Sequence, residues 1–142
     1  MFSRHGVPKS RIEFLRSVSM FDGLSTHVLE RLDAHLDEVS VPAGTHLTAE
    51  GANAYESFIV LEGTASVTVD GVEVGEVGPG ELVGEVAVLQ HSRRTATVTT
   101  TAPMQLLVIN SREIGWLFTD DQLSERVREN LARHLGGPRS PN

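Results

Sequence analysis

The chain has 142 residues, 39% of them hydrophobic and 22% charged, with a formal net charge of −7 and no cysteine. That length and mix describe one domain with a real core, burying roughly two-thirds of its unfolded surface on folding. Excluded are disulfides, thiolate catalysis and iron–sulfur clusters, for want of cysteine, and nonspecific nucleic-acid binding, which needs Lys and Arg to neutralise phosphates.

Residues 1–10 are polar, carry Gly6 and Pro8, and read as a flexible tail. Over residues 10–18 the apolar positions Ile12, Phe14, Leu15 and Val18 predict a short helix. A break follows at Phe21-Asp22-Gly23. Val28, Leu29, Leu32 and Leu36 then recur at helical spacing, with Ser25 or Thr26 as the N-cap.

The rhythm changes after Glu38. Short apolar or alternating segments follow, each closed by a turn signal: Pro42-Ala43-Gly44, then residues 51–54, then Glu62-Gly63 after the run 57–61. In residues 64–69, Ala65, Val67 and Val69 alternate with Thr64, Ser66 and Thr68, the period-two mark of a half-buried strand. Asp70-Gly71 follows at once, a strong hairpin signal. Val72, Val74 and Val77 continue on the return strand. Pro79-Gly80 turns the chain again. Residues 95–101 and 104–109 predict two more strands, split by Ala102-Pro103. Seven or eight short strands at this spacing predict a sandwich or barrel, because short strands must close up to hide their edges.

Helical signals return at the end. Asn110-Ser111 can cap a helix containing Ile114, Leu117 and Phe118. Thr119 and Gln122 fit a capping box, and Leu123, Val127, Leu131 and Leu135 form an i, i+4 stripe. Asp120 and Asp121 lie at its positive end, Arg133 and His134 at its negative end. Gly136-Gly137-Pro138 stops it. The reading is therefore mainly β with flanking helices: a flexible tail at 1–10, one domain at 11–136 and a second tail at 137–142. No stretch approaches the ~18 apolar residues of a membrane helix, and no signal peptide is visible. No membrane partner and a cytoplasmic location are expected.

Residues 80–98 break the strand rhythm. A glycine turn leads into one apolar turn, residues 86–89, too short to stand as an independent helix. A helical turn starting at Gly84-Glu85 presents free backbone N–H groups, which bind anions. Glycine there lets a ligand approach the backbone. Arg94 offers a planar fork suited to phosphate. The acidic balance does not oppose this, since charges beyond roughly 8–10 Å are screened. Glu85 can accept hydrogen bonds from a sugar hydroxyl. Each residue alone has a plain structural reading: acids are common in first helical turns and arginines on strand surfaces. Together they describe a site for a sugar phosphate.

The segment resembles the phosphate-binding cassette of the cyclic nucleotide-binding domain family, found in cyclic-AMP receptor proteins, kinase regulatory subunits and gated channels. Gly84-Glu85, Val86-Ala87-Val88-Leu89 and Arg94-Thr95-Ala96 carry the likeness, with Arg94 nine residues after Glu85. The turn at Val77-Gly78-Pro79-Gly80-Glu81, the strand ending at Gly63 and the hairpin beyond it extend it to about residues 12–135. The resemblance implies a jelly-roll fold and a site made by Val83, Gly84, Glu85, Val86, Ala87, Arg94, Thr95 and Ala96. By it, Glu85 takes the ribose 2′-hydroxyl and Arg94 the cyclic phosphate. The Ala87 N–H adds a donor where Gly84 makes room. Thr95 either bonds the phosphate or a guanine amino group, or is a plain β-former. Val83 stands where the family often has an aromatic, and Arg93 where it often has proline.

The implied ligand is cyclic AMP, with cyclic GMP the alternative, and no other cofactor is expected. By the resemblance the last helix would act as a lid over the base, with Asn130, Arg133 or His134 as caps, whereas its Leu123-to-Leu135 stripe reads first as core or dimer packing. Against an enzyme, the six histidines include no His-x-His or His-x-x-x-His pair, so a cupin-type metal site lacks its usual spacing. No catalytic constellation and no metal site are expected. No helix-turn-helix output domain is expected before Asn142. The expectation is a sensor module acting through a protein partner or a homodimer. The remaining rival is an interaction module that has lost its ligand, which the intact Glu85 and Arg94 oppose.

Overall fold

The computed structural model describes residues 11–84, 93–110, 112 and 113. The chain divides into two compact units.

In the first, made from residues 1–36 and 112–140, helix α1 (Arg11–Arg16) leads through a 3-10 turn (Ser19–Phe21) into α2 (Thr26–Asp33). The expected cap is present: the Ser25 hydroxyl accepts from the Val28 N–H at 3.2 Å, satisfying one donor that the first helical turn leaves over. Val28, Leu29 and Leu32 are buried on one face of α2. At its far end Arg11 bonds the Asp33 carboxylate at 2.7 Å and the Asp33 and Leu36 carbonyls at 3.1 and 3.3 Å. A cation at a helix C-terminus complements the dipole and satisfies leftover carbonyls. His35 Nδ1 meets the Glu113 carboxylate at 2.6 Å. The helices expected after Glu113 lie outside the described residues.

The second unit, built on residues 37–111, holds two four-stranded antiparallel sheets in a jelly-roll sandwich. One is ordered β1 (Asp37–Val41), β8 (Met104–Asn110), β3 (Glu56–Glu62), β6 (Leu82–Val83). The other is ordered β2 (His46–Thr48), β7 (Thr97–Thr100), β4 (Ala65–Val69), β5 (Val72–Val77). Phe58, Val60, Ala65, Val67, Val77, Val83, Ala96, Val98, Met104 and Leu106 form the core. Ser57, Ile59 and Leu61 are buried as well, so residues on both faces of β3 are buried.

Asp70 and Gly71 take φ of 53° and 79°, both positive as a type I′ hairpin turn requires. The return strand departs from simple alternation. Pairing runs Val69↔Val72 and Thr68↔Glu73, then jumps to Val67↔Gly75. Val74 is the extra residue of a bulge. The bulge brings Val77, opposite Ala65, to the same side of the strand as Val72, opposite Val69; Val77 is buried there, whereas Val72 and Val74 near the hairpin tip are exposed.

Candidate functional site

Strand β7 begins at Thr97, two residues later than the pattern predicted. The cause is Arg94. Its N–H donates to the Ala52 carbonyl, and its carbonyl accepts from the Gly51 N–H, both at 2.9 Å. These bonds tie residues 93–96 to the loop 49–55. The Arg93 side chain reinforces the tie from outside, its Nη1 donating to the Gly51 carbonyl at 3.1 Å.

The two arginines differ sharply in burial. Arg93 is exposed, whereas Arg94 retains 5% exposure. Nη1 of Arg94 donates to the Gly84 carbonyl at 3.0 Å, and Nη2 to the Glu56 carbonyl at 2.6 Å. Glu56 opens β3 and Gly84 follows β6, two strands paired through Phe58↔Val83 and Ile59↔Leu82. The guanidinium therefore spans the carbonyls at the end of the β3–β6 ladder. The two carbonyl oxygens fix its plane, and an arginine does not lose its proton on burial. A cation so placed is suited to bind an anion through charge-assisted hydrogen bonds.

Gly84 makes this seat available. Its φ is +83°, and a Cβ there would run into Nη1 of Arg94 and lie 3.1 Å from Cζ. The glycine was expected to make room for a ligand; in the structure the room beside it holds the arginine's own guanidinium. Val83 and Ala96 are fully buried in the inter-sheet core, and Thr95 between the arginine and Ala96 is exposed. Glu85, Val86 and Ala87 lie outside the described residues, as do the lid candidates Asn130, Arg133 and His134.

Two participants escaped the sequence reading: the backbone of Gly51 and Ala52, and the Glu56 carbonyl. Main-chain groups have no residue signature. Only the turn signal at Gly51, whose φ is +83°, marked that loop. Among the described residues no group of three His, Asp or Glu side chains could hold a metal ion, and no helix is long and apolar enough to cross a membrane.

The fold is thus a two-sheet β-sandwich that seats a buried arginine beside a glycine turn. The profile of the cyclic nucleotide-binding domain matches residues 38–121, more than half of the chain, and the chain belongs to that family. A cyclic nucleotide-gated potassium channel of Mesorhizobium japonicum is 28% identical over 129 residues, 90% of this chain; the chain spans only 36% of that relative's length. Among solved structures, the N-terminal domain of a transcriptional regulator from Streptomyces coelicolor is 29% identical with a TM-score of 0.73. That match covers 86% of this chain and 89% of the other. A triply substituted regulatory subunit of a cAMP-independent protein kinase A from Trypanosoma brucei, bound to cAMP, is 25% identical with a TM-score of 0.77. There the coverage is 91% and 47%.

Proposed function

We propose that this chain is a regulatory sensor that binds cyclic AMP, with Arg94 as the partner of the cyclic phosphate. The observation that carries this reading is the buried guanidinium of Arg94, held by the carbonyls of Gly84 and Glu56. A cation fixed before the ligand arrives costs little ordering on binding. Its neighbour Arg93 is exposed and engaged with the loop 49–55.

In this reading Glu85 receives the ribose 2′-hydroxyl, and the backbone of Val86 and Ala87 adds donors to the phosphate. Val83 and Ala96 form the packed wall behind Arg94. The domain extends over residues 11–136. Its role is to hand a bound state to a protein partner or a second copy, not to perform catalysis. Cyclic AMP is favoured over cyclic GMP because a similar solved structure holds cAMP. Ligand must bind one conformation more tightly than another to switch anything.

Thermal shift with each nucleotide tests the choice of ligand. Cyclic AMP is expected to raise the melting temperature at lower concentration than cyclic GMP. In the Thr95→Ala variant the responses to both should stay in the same ratio. A selective loss of the cyclic GMP response would instead make Thr95 a guanine reader. No shift with either nucleotide at millimolar concentration would defeat the proposal.

A further inference from the structure

Strand β5 is the terminal strand of its sheet among the described residues. It carries two of the most exposed large apolar side chains, Val72 at 63% and Val74 at 53%. An edge strand presents a row of backbone donors and acceptors to any extended chain that approaches. Proteins usually guard such edges with lysine. Here the sequence holds no lysine or arginine anywhere between Arg31 and Arg93. Among the described residues the edge is guarded by the bulge at Val74, which limits how much flat strand can pair, and by the acidic Glu73 and Glu76.

The two sides of the strand differ in chemistry. Val72 stands opposite Val69, on the side of the inter-sheet core. Glu73 and Glu76 stand opposite Thr68 and Ser66, on the outer face. The hairpin is also shaped in advance. Its tip is a left-handed pair at Asp70 and Gly71, and the Asp70 N–H donates to the Glu50 carboxylate at 3.0 Å. Glu50 and Asp70 add acidity at that end.

We propose that the free edge of β5 docks an extended segment of a partner protein in which apolar and basic residues alternate. Added as a fifth strand, such a segment would lay its apolar residues beside Val72 and Val74 and its lysines or arginines beside Glu73 and Glu76. The period-two pattern of a strand keeps these two sets on opposite faces. A second copy of this chain fits poorly. Pairing β5 with itself would bring Glu73 and Glu76 near their own equivalents, and like charges opposed across strands destabilise the pair.

The test uses the full chain, isotope-labelled, titrated with a capped eight-residue peptide alternating valine and lysine. Saturable amide shifts confined to residues 70–77 are expected. The Glu73→Lys/Glu76→Lys double variant should weaken binding at least about threefold, as should added salt. Both glutamates are exposed, and the variant's own amide spectrum checks its fold. Equal binding of a valine–glutamate peptide, or shifts centred elsewhere, would overturn the proposal. So would concentration-dependent dimerisation abolished by Val72→Lys, which would make a second copy the occupant.

Discussion

Arg93 and Arg94 are adjacent and chemically identical, and their surroundings separate them. The exposed Arg93 holds a loop carbonyl, whereas Arg94 is buried against the carbonyls of Gly84 and Glu56. Gly84 is the residue on which that seat depends. Gly84→Ala would place a side chain against the guanidinium at a φ of +83°, where an L-residue costs roughly 1–2 kcal/mol before any clash. The variant is expected to lose at least that much stability in urea unfolding and to bind cyclic AMP more weakly. Unchanged stability and affinity would show that the arginine does not need this glycine. Ser57 is a different case. Its hydroxyl is buried, with 2% exposure of the residue, and has no hydrogen-bond partner among the described residues. Burying an unsatisfied polar group costs free energy, so Ser57→Ala is expected to raise stability by about 1 kcal/mol. A lower urea midpoint would mean that the hydroxyl is paired in solution.

The helical and strand elements were legible where local chemistry decides them. Ser25 was one of two expected caps for α2, and it accepts the Val28 N–H. Ser25→Ala is expected to cost about 1 kcal/mol in denaturant unfolding; no loss would mean that water replaces the cap. The Asp70-Gly71 turn was legible because few residues tolerate two consecutive positive φ values. The bulge at Val74 was not, since it depends on which residues of β4 lie across the ladder. The late start of β7 was hidden for a related reason. Arg94 gives its backbone bonds to Gly51 and Ala52, more than forty residues earlier in the chain. Nothing in the local run of threonines reveals that. Val83 and Ala96, expected from the sequence to line the site, both lie in the inter-sheet core.

For the molecule as a whole, the sandwich brings three distant stretches to one cation. Gly84 after β6, Glu56 at the start of β3 and Arg94 before β7 meet at one end of a strand ladder. Spacing within residues 84–96 indicated a phosphate site, but the carbonyl seat of the arginine exists only once the sheets have closed. That seat also predicts a structural cost on removal. Arg94→Ala leaves the Glu56 and Gly84 carbonyls without these donors, which should lower stability by about 1–3 kcal/mol even without ligand.

The central claim, that Arg94 is the cyclic-phosphate partner, is tested most directly by calorimetric titration of cyclic AMP into the wild-type chain, Arg94→Lys and Arg93→Ala. Lysine keeps the charge but lacks the planar fork that reaches carbonyls and phosphate together. Losing that geometry at Arg94 while keeping the charge is expected to weaken binding by roughly 1.5–3 kcal/mol, the scale of a hydrogen bond to a charged group. Arg93→Ala should bind nearly as the wild type does. A large loss at Arg93 with wild-type affinity in Arg94→Lys would contradict the account.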